Sequence, residues 1–176
     1  MLGEYTKEDG EKLLKLARQS IEEQFSGKKI EILEEMKSKQ FRQARGVFVS
    51  LHKKGELRGC IGFPMPIMNI QEAVIKAAKA AAFSDYRFNQ LKEGELKEIK
   101  IELSILTIPQ ECKAEEIKIG KDGLICEFMG YSGLLLPQVA TEYKMNRIKF
   151  LEAICNKAGL PNATWQNKNF KLKKFS

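Results

Sequence analysis

Apolar residues fall at helical spacing in three stretches. Thr6 and Asp9 match a capping box, Leu13, Leu14, Ala17, Ile21 and Phe25 follow on one face, and Gly27 supplies a stop. Asn69 with Glu72 marks a second helix start, followed by Ala73, Val74, Ala77, Ala78, Ala81 and Ala82, small enough for close packing on a neighbour. Asn146 is placed to cap a third, carrying Ile148, Leu151, Ile154, Cys155 and Ala158, which Gly159 and Pro161 end. Ile30, Leu33 and Met36 suggest a further short helix, and Val139 and Ala140 begin helical material.

Between these stretches the period changes to two. Val47–Leu51 is β-rich, His52 to Glu56 reads as a turn, and Leu57 to Gly62 returns as the second arm of a hairpin, closed by Pro64 and Pro66. Glu98 to Thr107 is the clearest strand, with Ile99, Ile101, Leu103 and Ile105 on one face and Lys100, Glu102 and Ser104 on the other. A meander follows: Ile117–Ile119, Leu124–Met129 and Leu134–Leu136 as strands, with turns at 120–123 and 130–133. Trp165, Phe170, Leu172 and Phe175 suggest a last strand or packed tail. Hairpins interrupted by helices predict an α+β fold around an antiparallel sheet.

Composition narrows the function classes. A chain of 176 residues with 43% hydrophobic and 30% charged residues suits one globular domain, with a small lobe allowed. No apolar run reaches the roughly 18 residues of a membrane span, and the N-terminus lacks the apolar core of a signal peptide, so a cytoplasmic protein without a membrane partner is expected. Glycine-rich dinucleotide and P-loop motifs are missing from the sequence. One histidine and four scattered cysteines cannot build an ordinary zinc site, so no metal or other cofactor is expected. The charge of +7 allows attraction to nucleic acid, but the lysines are dispersed apart from Lys168, Lys171, Lys173 and Lys174.

The chemistry concentrates at Leu57-Arg58-Gly59-Cys60-Ile61-Gly62-Phe63. A strict strand puts Arg58, Cys60 and Gly62 on one face and Leu57, Gly59 and Ile61 on the other. Two glycines in one strand signal a close approach by another backbone or a ligand. Cys60 is a candidate nucleophile if a cation such as Arg58 activates it; its alternative is a packed apolar residue. With 53–55 as the loop, His52 would lie about 13 Å from Cys60, too far for a dyad. Arg58 is expensive to bury alone, and Asp85 and Arg87 are its expected neighbours, as a structural clamp or, with Arg45 and Gln138, as a site for phosphate or carboxylate. Cys112, Cys126, Cys155 and Trp165 read as packing residues.

The same residues carry a resemblance. Leu57–Gly62 after Gly46–Leu51, the block Ala81–Phe88, the block Gly133–Ala140, and Phe150-Leu151 with Cys155–Leu160 stand in an order that resembles the AMMECR domain family over nearly the whole chain. Departures are Tyr86, where the family commonly has proline, and the lack of a tryptophan near Met145. The resemblance implies one α+β domain in two lobes, with the Arg58–Gly62 segment near a cleft. It also implies an intracellular protein associated with Memo-like or radical-SAM proteins, with RNA modification among the proposed roles. Three functions remain open: an enzyme or enzyme component acting at Arg58-Gly59-Cys60-Ile61-Gly62, a nucleic-acid-binding module, and a non-catalytic partner protein.

Overall fold

A computed structural model describes residues 5–176, which divide into two compact units, one ending at Leu106 and the other running Thr107–Ser176. Both are α+β units built on antiparallel sheets.

In the first unit, helix α1 (Lys7–Ser26) starts on the predicted Thr6–Asp9 capping box and ends at left-handed Gly27. Strands β1 (Val47–Lys53) and β2 (Glu56–Phe63) form the hairpin, helix α2 (Ile70–Phe83) starts at the Asn69 cap, and β3 (Ile99–Ile105) completes a sheet of order β2-β1-β3. Alternation fills one face: Val47, Val49 and Leu51 are fully buried, with the alanine face of α2 and Leu13, Leu16 and Ile21 of α1 packed in the same core. Each buried aliphatic side chain contributes about 1.5–3 kcal/mol. The opposite face carries Phe48, Ser50 and His52 in the centre, all half-buried.

α2 lies close to β2 because Gly59 lets it. A Cβ on Gly59 would sit 2.1 Å from the Ala81 carbonyl oxygen, so any side chain there displaces the helix.

The second unit contains β4 (Gln110–Glu111), β5 (Gly123–Phe128), β6 (Tyr131–Leu135), the short helix α3 (Pro137–Glu142), α4 (Arg147–Lys157) and β7 (Lys171–Phe175), with sheet order β4-β7-β5-β6. Asn146 caps α4 as predicted. Its Phe150, Leu151, Ile154 and Cys155 pack with Leu124, Cys126 and Leu172 of the sheet.

Three local expectations change. Both hairpins turn on two residues, Lys54-Gly55 and Met129-Gly130, each with positive φ at both positions (53° and 89°, 48° and 88°), as a type I′ turn requires. The loops are therefore tighter than predicted, and 131–133 belong to β6. The strand expected at Ile117–Ile119 is absent: Asp122 accepts the Lys118 N–H at 2.8 Å and closes a loop, while Ile117 is still buried. The helix expected around Ile30–Met36 shrinks to one 3₁₀ turn, Glu34–Lys37.

Gly59→Val should cost at least about 3 kcal/mol, since backbone cannot yield as a side chain does. Urea unfolding of this variant beside Gly94→Ala, an open position outside the left-handed region, measures it; equal costs would contradict the packing described.

Candidate functional site

Cys60 lies on the edge strand β2, opposite Ser50 of β1. The ladder turns the Cys60 N–H and C=O outward, and the loop after α2 meets both. Asp85 accepts the Cys60 N–H at 2.8 Å, and Arg87 Nη2 donates to the Cys60 carbonyl at 3.0 Å. Asp85 and Arg87 are joined by two further bonds, Nε to Oδ1 at 2.9 Å and Nη2 to Oδ2 at 2.8 Å. These two side chains stand in for a fourth strand at one residue of the edge. The Asp85 carboxylate is 1% exposed, and the Arg87 guanidinium first, with the two backbone N–H donors, holds it ionised far below the usual carboxylate range.

Arg58 follows a different path. Leu51 pairs with Gly59 and His52 with Leu57, so Arg58 is the extra residue of a β-bulge. The bulge aims it at residues 89–95. Its Nε and Nη2 reach the two Glu95 oxygens at 3.1 and 3.0 Å, and Nη1 donates to the Asn89 carbonyl at 2.8 Å. Lys53 and the Lys92 N–H also bond to Glu95, each at 3.0 Å. Arg58 above all, then the Lys92 amide, lowers the Glu95 carboxyl from 4.5 to about 2.

The open sheet face presents the remaining chemistry in rows across three strands: Cys60–Ser50–Glu102, then Gly62–Phe48–Ser104. Ser50 Oγ donates to Cys60 Sγ at 3.2 Å, the only hydrogen bond to that sulfur among the described residues. His52 lies one ladder step beyond Ser50, closer to Cys60 than a three-residue loop would place it, yet its Nε2 faces Glu102 Oε2 at 3.5 Å. Among the described residues no cluster of His, Cys, Asp and Glu is suited to a metal ion.

With this geometry in view, a family model described as AMMECR1 matches residues 14–176. The chain belongs to the AMMECR1 family. Similar proteins include "Protein TV1384" of Thermoplasma volcanium, 46% identical over 143 residues covering 77% of this chain and 71% of that one. A protein of Thermococcus onnurineus is 44% identical over 179 residues, covering 95% of this chain and 87% of that one. Among solved structures, the uncharacterized protein PH0010 from Pyrococcus horikoshii superposes with a TM-score of 0.77 at 41% identity, covering 97% of this chain and 90% of that one.

In this AMMECR1-family chain the residues anticipated for a ligand site divide sharply. Arg58 pairs with Glu95, not with Asp85; Arg87 pairs with Asp85. Arg45 is buried, bonded to Gln43 Oε1 at 2.8 Å and to the Ala44 carbonyl at 3.1 Å, with its guanidinium over the Tyr5 ring. Phe63 pairs with Val47 and packs into the first core. Both glycines are occupied from within: Gly59 by Ala81, Gly62 by the Phe48 ring, whose Cδ1 a Cβ would meet at 2.2 Å. Gln138 is exposed on α3 of the second unit. Cys126 and Cys155 are buried, Cys112 half-buried, and burial pushes all three thiols up, Cys112 and Cys126 to about 11. Sequence reasoning missed Glu95, Ser50 and Glu102; the signal for Glu95 was only an unpaired strand arginine and three nearby glutamates, Glu93, Glu95 and Glu98.

Because the folded-state values of Glu95 and Asp85 are depressed, their stabilisation is complete above the ordinary carboxylate range and is lost as pH falls. For Glu95 the loss runs from about pH 4.5 towards 2. Glu95→Gln should cost about 2 kcal/mol at pH 7 and flatten that part of the acid limb. Thermal unfolding between pH 2 and 7 checks it; an unchanged acid limb would contradict the Arg58–Glu95 assignment.

Proposed function

We propose that this AMMECR1-family chain serves as a component of an enzyme system, presenting the Cys60–Ser50–Glu102 face to a substrate or partner protein without using Cys60 as a nucleophile. The observation carrying this reading is the bonding around the thiol. Ser50, the hydrogen-bond partner of Sγ, is not a base, and the His52 imidazole faces Glu102. The activated nucleophiles of thiol enzymes have a base or cation in contact.

The charged groups of the region serve position instead. Asp85 and Arg87 fix the Cys60 peptide, and Arg58 ties β2 to residues 89–95 through Glu95. A surface held this firmly binds with little ordering cost, which favours recognition. A Memo-like or radical-SAM protein, the class of partner the family resemblance implies, suits such a role, and an RNA substrate of that partner is compatible with it. Nucleic-acid binding by the chain alone has less support: Lys173 is paired with Glu127 and Lys174 donates to the Glu116 carbonyl.

Cys60 should alkylate with iodoacetamide within about tenfold of the rate of free cysteine. Complementation of a strain lacking the protein should survive Cys60→Ser and fail with Ser50→Arg, both variants folded by circular dichroism. Alkylation 100-fold faster than free cysteine, or loss of complementation with Cys60→Ser alone, would overturn the proposal in favour of thiol catalysis.

A further inference from the structure

The outer edge of β3 is open over a short, defined length. The Leu106 N–H donates to the Gly46 carbonyl at 2.8 Å, which sets the ladder parity: Lys100, Glu102 and Ser104 bond inward to β1, and Ile99, Ile101, Leu103 and Ile105 turn their backbone groups outward. The outward Ile99 carbonyl is taken by Arg18 Nη2 at 2.8 Å, and the same guanidinium binds the Leu96 carbonyl at 2.7 Å. At the other end Thr107, within the second unit, gives its N–H to the Ser176 carbonyl at 2.9 Å. Between these limits the N–H and C=O groups of Ile101, Leu103 and Ile105 have no hydrogen-bond partner among the described residues. Burial shows the same opening. Val47, Val49 and Leu51 are fully buried, yet their β3 partners Ile105, Leu103 and Ile101 are only half-buried. The strand carries no proline and no bulge, devices that commonly guard such an edge.

We infer that this edge pairs with the same edge of a second copy, antiparallel about a two-fold axis through Leu103. The free length is symmetric about Leu103, so Ile101 of one copy meets Ile105 of the other and about six backbone hydrogen bonds form. A two-fold at Ile101 would instead drive the second strand into the position Arg18 holds at Ile99. The face residues agree with the Leu103 register. Glu102 comes opposite Ser104 of the second copy, acceptor to donor, and no like charges are opposed. The two three-stranded sheets become one of six strands. On its exposed face the row Cys60–Ser50–Glu102 runs on into Ser104, Phe48 and Gly62 of the second copy, so each thiol row is extended by residues of the other chain.

Glu102 and Ser104 of the second copy form a non-hydrogen-bonded pair with Cα atoms about 4.5 Å apart, a separation a disulfide spans. Both side chains are exposed, so the double variant Glu102→Cys with Ser104→Cys is expected to fold. Light scattering should give the unmodified chain twice its monomer mass at about 50 μM. Oxidation should crosslink the double variant at least tenfold more than either single variant, while the unmodified chain stays uncrosslinked. A monomer at that concentration, or a dimer in which the double variant crosslinks no better than the singles, would overturn the assignment.

Discussion

A buried carboxylate organises the first unit. Asp85 ends the chain's exit from α2 and accepts hydrogen bonds from the Cys60 peptide, the Arg87 peptide and the Arg87 guanidinium. An aspartate this enclosed is tolerated only because each oxygen is supplied with charged or backbone donors. The arrangement sets the height of β2 against α2, and with it the contact at Gly59, where the strand meets the Ala81 carbonyl without a side chain between. The thiol's position follows from that chain of constraints. The Cys60 side chain is carried by a peptide unit bonded on both its N–H and its C=O sides, so the open face around it is stiff.

The distribution of charge follows from the same economy. Arginines that look available in sequence are consumed in holding loops: Arg18 on Leu96 and Ile99, Arg58 on Glu95, Arg87 on Asp85, and Arg45 under Tyr5. Guanidinium suits this work because its planar donors satisfy a carboxylate and a carbonyl together. At the sulfur itself the contact is the Ser50 hydroxyl, while the nearby Arg87 is bonded to Asp85 and the Cys60 carbonyl, which is why the chemistry points to recognition.

Much of the fold was legible in the chain. Caps at Thr6, Asn69 and Asn146 work through local hydrogen bonds, and the alternation of Ile99–Ile105 reflects one buried face, so both are visible within a few residues of sequence. The candidate site was legible as a location, because two glycines flanking a cysteine demand close neighbours. What occupied that space was not, since Ala81 and Phe48 are brought there only by tertiary packing. Nor does local sequence choose Glu95 over Glu93 or Glu98 as the partner of Arg58. That choice depends on a bulge, which leaves no mark in the period-two pattern until the partner strand is known.

The bulge also shifts the phase of β2 by half a period. Beyond it, odd-numbered positions Gly59, Ile61 and Phe63 face the helices; before it, Leu57 pairs with His52 and belongs to the thiol's side, 40% exposed. Leu57 therefore offers a vantage point on the Cys60 surface that takes no part in the hydrogen bonding around it. A fluorophore or spin label there would watch whatever settles on that surface.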